Sequence, residues 1–115
     1  MEELFNPKGG RCLNSYYVID SHCDTVMKVA DQGAKLDRTG QSHVTIPGLK
    51  KGKVGLQFFA AWVGPKNRHS PCLQRGLQLI DAYYGMLDRC PEDFLPVYRF
   101  QDINKAREQH KIGCL

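Results

Sequence analysis

Tyr16-Tyr17-Val18-Ile19-Asp20-Ser21-His22-Cys23-Asp24-Thr25 is the stretch on which the reading of this chain turns. An apolar run leads into a His-x-Asp pair. On a β-strand, residues i and i+2 face the same side. A strand that ends here aims the His22 imidazole and the Asp24 carboxylate at one point. Nitrogen and oxygen donors of this kind suit zinc or a related divalent ion. The run over 16–20 lacks the apolar/polar alternation of a half-exposed strand, so it reads as buried on both faces, as parallel strands of α/β proteins are. A metal pair at the carboxyl end of such a strand sits where a β/α barrel carries its active site. A plainer reading stays open on these residues alone. His22 could be hydrogen-bonded within a loop, and Asp24 or Thr25 could cap a helix over 26–30 that ends near Gly33.

Length and composition narrow the classes. A chain of 115 residues holds one domain at most. With 42% hydrophobic and 24% charged residues the profile is globular rather than disordered. Lys50, Lys51 and Lys53 are the tight basic cluster, and they fall where a loop meets a helix, so they read as a solvated face. No larger basic face or base-reading motif points to nucleic acid. The cysteines (Cys12, Cys23, Cys72, Cys90 and Cys114) are odd in number and form no Cys-x-x-Cys. They read as reduced thiols in a cytoplasmic protein. Cys23 lies between the paired residues but on the opposite face of a regular strand, so it reads as a packing residue rather than a third ligand. The amino-terminal stretch lacks an apolar h-region. No run approaches the roughly 20 apolar residues that span a bilayer, so no membrane partner is expected.

The remaining chain reads as alternating strands and helices. Residues 1–15 form a lead-in segment with a turn at Gly9-Gly10. Val44-Thr45-Ile46 reads as a short strand, and Pro47 starts a helical turn. The second main strand runs over 53–63. Within it Gln57 is the odd polar member, read either as a hydrogen-bonded structural residue or as support for the site. Gly55, Ala60 and Ala61 leave room for a close neighbour. Trp62, near the carboxyl end of this strand, reads either as a wall of a substrate pocket or as an ordinary core or rim aromatic. Ser70 reads as an N-cap and Pro71 as the first residue of a helix whose apolar stripe is Leu73, Leu77, Ile80, Tyr84 and Leu87, expected to face the core. Cys90-Pro91 ends that helix. A short extended segment broken by Pro96 follows, then a helix capped by Asp102 and running to about Gln109. Lys111-Ile112-Gly113-Cys114-Leu115 opens like a buried strand. The β-α-β-α-β order is that of a parallel sheet. His69 and His110 read as surface residues. No phosphate-cradling glycine loop, serine-nucleophile elbow or internal repeat is present.

The block around His22 and Asp24 resembles the first-strand signature of the membrane (renal-type) dipeptidases, peptidase family M19 of the amidohydrolase superfamily. That signature is an apolar pair followed by Asp-Gly-His-Asn-Asp. Here Ser21 replaces the usual Gly and Cys23 the usual Asn. The block from His43 to Val63 is similar to the family's second segment, with its Gly-x-Val-Gly-x-Gln-Phe strand around Gly52 to Phe58. Asp102-Ile103, Ala106 and Lys111-Ile112-Gly113 resemble the helix and strand that precede the family's bridging glutamate.

The resemblance implies the N-terminal portion of a (β/α)8 TIM-type barrel, roughly its first three β/α units. It implies two zinc ions in the complete enzyme, one of them held in part by His22 and Asp24. It also implies hydrolysis of dipeptides, including those with a D-configured C-terminal residue, by a metal-activated hydroxide. Residues 1–115 are then the N-terminal fragment of a single dipeptidase domain, since a complete barrel needs about 250 residues. The family's bridging Glu, its later His ligands and its proton-transferring Asp fall beyond Leu115, so the fragment alone is expected to be inactive. His43 aligns with a family His and is assigned to loop support rather than metal ligation. A homodimer is left open. The rival readings are a catalytically inactive family member, a stand-alone binding module, and another amidohydrolase of lactonase or deaminase type.

Overall fold

Apolar β-branched and aromatic residues build the strands, and glycines and caps mark where the helices begin and end. The computed structural model describes residues 17–37, 40–67, 69 and 71–115. The lead-in segment with its Gly9-Gly10 turn, together with Cys12, Tyr16 and the expected Ser70 cap, lies outside the described residues. The elements are β1 (Val18–Cys23), α1 (Thr25–Gln32), α2 (Ile46–Lys51), β2 (Val54–Phe59), a 3-10 turn (Pro65–Asn67), α3 (Cys72–Arg89), β3 (Phe94–Pro96), α4 (Phe100–Glu108) and β4 (Ile112–Cys114).

The strands form one parallel sheet in the order β1-β2-β4-β3. This is a mixed α/β fold compatible with part of a TIM-type barrel. β1, β2 and β4 lie side by side in chain order, as consecutive barrel strands do. β3 is the short extended segment around Pro96. It takes the outer edge beyond β4, where a proline can sit without removing a needed ladder bond. β4 is buried throughout, as its sequence predicts.

α1 packs on α3, and α4 packs against β2, β3 and β4. Between the sheet and α1, α2 and α3, the core gathers Val26, Val29, Leu49, Phe59, Leu79, Met86 and Phe94. The Phe59 ring lies 5.9 Å from Tyr83 and 6.3 Å from Phe94, in tilted and edge-on contacts that suit aromatic quadrupoles. Ion pairs join Arg75 to Asp31 and Lys50 to Asp93. At the amino ends of β1 and β2, the Tyr17 hydroxyl donates to the Gly55 carbonyl at 3.0 Å. A Cβ on Gly55 would lie 2.0 Å from Tyr17 Cε2, so only glycine admits that ring. Arg107 of α4 stacks over the same ring at 4.9 Å.

Several expectations are corrected. β1 is not buried on both faces: Val18 and Ile19 are exposed, and among the described strands β1 stands at the sheet edge beside β2. Residues 44–46 are not a strand. Thr45 is instead the N-cap of α2, its Oγ1 accepting from the Gly48 amide at 3.1 Å, with Pro47 in the first turn. β2 stops at Phe59, although the Ala60 amide still reaches the Cys23 carbonyl at 2.9 Å. Asp102 sits in the first turn of α4 rather than at its cap, and accepts from the amides of Tyr98 and Arg99 at 3.0 and 3.1 Å.

The largest correction concerns α3. Its stripe of Leu73, Leu77, Ile80 and Tyr84 is exposed, and of the expected core residues only Leu87 is buried. The packed face is Leu79, Tyr83, Met86 and Leu87. The helix carries apolar residues around more than half its circumference, so periodicity shows an apolar arc without showing which part of it meets the sheet.

Leu79 is 0% exposed and Leu77 is 58% exposed. Leu79→Ala is expected to cost about 2–5 kcal/mol in urea unfolding, and Leu77→Ala less than about 1 kcal/mol. Equal costs would place the packed face back on the expected stripe.

Candidate functional site

β1 runs through the His-x-Asp region rather than stopping before it. Asp20 pairs with Gln57 of β2, and Cys23 pairs with Phe59. Three steps along β1 therefore match two along β2, and the ladder is irregular between Asp20 and Cys23. The register shift is a bulge-like irregularity, a feature that bends a strand and re-aims its side chains. α1 follows at once and closes at Gly33, whose φ of 62° is the left-handed conformation of a glycine C-cap.

In this geometry His22 Nε2 and Asp24 Oδ1 lie 3.2 Å apart at the carboxyl end of β1. Both side chains are open to solvent, at 64% and 49% exposure. Asp24 occupies the N-cap position of α1, yet its side chain makes no cap hydrogen bond. Its carboxylate faces His22 instead, so the simple capping reading does not describe this residue. Behind the pair, Asp20 Oδ1 accepts from the His22 amide at 3.3 Å, and Asp20 Oδ2 accepts from Gln57 Nε2 at 2.8 Å. Gln57 is completely buried.

Cys23 is partly buried and packs against the core, while also lining the cavity beside the pair. Burial pushes its thiol pKa up, opposed by hydrogen bonds with Thr25 and reinforced by the nearby Asp20 and Asp24 carboxylates. A cavity of about 360 Å³ opens beside the pair, lined by His22, Cys23, Asp24, Thr25, Lys28, Ser42, His43 and Val44. His43 thus shares the cavity with the pair. Trp62 is half-exposed beyond the end of β2 and is not among the residues lining this cavity. His69 and His110 are exposed and are not among the residues lining it.

Two residues at the site were not singled out from the sequence. Asp20 carries a spacing signal, standing two residues before His22 as His22 stands two before Asp24. Lys28 lies one helical turn after Asp24, the i,i+4 spacing that places side chains over one another.

His22 and Asp24 are in direct contact, through a hydrogen bond or, with the imidazole protonated, an ion pair, and their nitrogen and oxygen donors are of types that zinc accepts. Two ligands each about 2.0–2.1 Å from a tetrahedral zinc are roughly 3.3 Å apart, close to the separation of His22 Nε2 and Asp24 Oδ1. Among the described residues no group of three or more His, Cys, Asp and Glu side chains is placed to hold a metal ion.

The sequence model of the membrane dipeptidases (peptidase family M19) matches residues 9–115. The chain belongs to this family of peptidases, represented here by sequence blocks that surround the His22–Asp24 pair and its supporting strands.

Since the Asp24 carboxylate caps nothing, Asp24→Ala is expected to leave unfolding stability within about 0.5 kcal/mol, against about 1 kcal/mol for loss of a true N-cap. A full capping loss on urea denaturation would restore the plainer reading of this residue.

Proposed function

We propose that the complete protein is a zinc-dependent dipeptidase and that His22 and Asp24 hold part of its metal centre. The observation that carries this reading is the convergence of one nitrogen and one oxygen donor at the carboxyl end of a parallel strand, in a chain of the membrane dipeptidase family. The substrates are dipeptides, including those with a D-configured C-terminal residue, in keeping with the resemblance of the His22 and Asp24 block. The neighbouring cavity of about 360 Å³ falls within the span of about 300–1,000 Å³ usual for small-ligand sites.

The chemistry that zinc supplies in such a site is polarisation of the scissile carbonyl and acidification of a water molecule. His22 contributes Nε2 and Asp24 a carboxylate oxygen, and neither is assigned a proton-transfer role. Cys23 separates them in sequence and packs in part against the core, and it is not assigned as a donor. Asp20 Oδ1 accepts from the His22 backbone amide at 3.3 Å. Lys28 and His43 line the side of the cavity into which a small polar substrate would settle.

In the full-length protein, His22→Ala and Asp24→Ala are each expected to lower bound zinc, measured by elemental analysis, and to bring dipeptide hydrolysis to background while the circular dichroism stays native. Full zinc content with native turnover in both variants would overturn the assignment. The 115-residue chain on its own is expected to hydrolyse no dipeptide, because two donors fall short of the three protein ligands typical of catalytic zinc. Turnover by the purified chain would contradict this.

A further inference from the structure

The bulge in β1 interrupts the sheet ladder at the residue that supplies the imidazole. Between the Asp20–Gln57 and Cys23–Phe59 pairs the register slips. The His22 amide is taken up by Asp20 Oδ1 at 3.3 Å. The other oxygen of the same carboxylate is held by Gln57 Nε2 at 2.8 Å. Gln57 is an anchor of a particular kind. It is 0% exposed, its amide nitrogen also donates to the Phe58 carbonyl at 3.1 Å, and its backbone carbonyl accepts from the Leu115 amide at 3.1 Å. Gln57 thus belongs to the strand that lies between β1 and β4, and its side chain is held by Asp20 and the Phe58 carbonyl.

Gln57 is also a costly choice for packing alone. Its Oε1 is buried with no hydrogen-bond partner among the described residues. A buried acceptor without a donor loses its hydration and gains nothing in return. An apolar residue of similar volume would remove that cost. What such a residue could not do is hold the Asp20 carboxylate in place.

We propose that Gln57 and Asp20 are positioning residues for the donor pair. Gln57 fixes the Asp20 carboxylate, which in turn replaces the missing ladder bond at His22. The bulge is thereby locked in the form that brings His22 Nε2 to 3.2 Å from Asp24 Oδ1. The inference rests on the reading of His22 and Asp24 as metal donors. It adds that the separation between them is set by a hydrogen-bond chain reaching into the buried sheet.

The test uses the full-length protein stripped of metal, with Gln57→Leu, Asp20→Ala, the double variant, and His22→Ala as the donor control. Two quantities are read: hydrogen exchange at the His22 amide before any metal is added, and Co²⁺ affinity with its d–d absorption afterwards. Gln57→Leu is expected to keep or raise the unfolding midpoint and to speed His22 exchange about tenfold or more. It should also weaken Co²⁺ binding by about 10–100-fold, the usual effect of removing a group that orients a metal ligand. In the Asp20→Ala background, Gln57→Leu should add almost nothing, since the two act through one chain of bonds.

His22 exchange and Co²⁺ affinity within about twofold of wild type in a folded Gln57→Leu protein would overturn the proposal. Independent, additive losses in the double variant would overturn it as well. If Gln57→Leu fails to fold, Asp20→Ala carries the same readouts without disturbing a fully buried position. If His22→Ala binds Co²⁺ as tightly as wild type, the donor reading itself is overturned. That result is distinct, because the exchange data, taken without metal, still report whether Asp20 and Gln57 hold the irregular part of β1.

Discussion

The hydrogen bond from the buried Gln57 amide to the Asp20 carboxylate is the contact from which the geometry of the site follows. β1 carries one residue more than β2 can pair between Asp20 and Cys23. An extra residue in a parallel edge strand would ordinarily leave a loose backbone amide and an undefined side-chain direction. Here the amide is taken by Asp20, and the direction follows from it. The strand then hands over to α1 with no intervening loop. Asp24, placed where a capping residue belongs, is left with a carboxylate free to face His22.

The sheet divides its labour along its length. At the amino ends of β1 and β2, Tyr17, Gly55 and Arg107 form a closed contact whose purpose is packing. At the carboxyl end, His22 and Asp24 stand in solvent beside an open cavity. Barrel enzymes separate stability and chemistry along the strands in the same sense. The β1-β2-β4 order preserves that polarity, and β3 adds an edge strand without displacing the strands that carry the site.

Local chemistry made much of this legible in the sequence. His22 and Asp24 could be paired because a two-residue spacing has a simple meaning on a strand. Gly33 could be read as the end of α1, and the apolar run at the end of the chain as a buried strand, because each depends on its own residues. The family resemblance, carried by the blocks around His22, Gln57 and Asp102, agrees with the match over residues 9–115. What stayed hidden was set by partners distant in sequence. The register slip depends on how β1 meets β2. The exposed stripe on α3 depends on which side of a broad apolar arc the sheet covers. Thr45 looked like a strand residue because an N-cap and a strand share the same extended backbone, with φ −138° and ψ 154° here. The polar oddity at Gln57 was visible, but its partner Asp20 lies 37 positions away, joined to it only by strand pairing.

The most direct measurement is anomalous X-ray scattering at the zinc edge from crystals of the zinc-loaded full-length protein. A zinc peak bonded to both His22 Nε2 and an oxygen of Asp24, with Gln57 still hydrogen-bonded to Asp20, is the predicted result. A fully occupied zinc centre that leaves His22 and Asp24 unliganded would contradict the reading of this pair as the metal-binding end of β1.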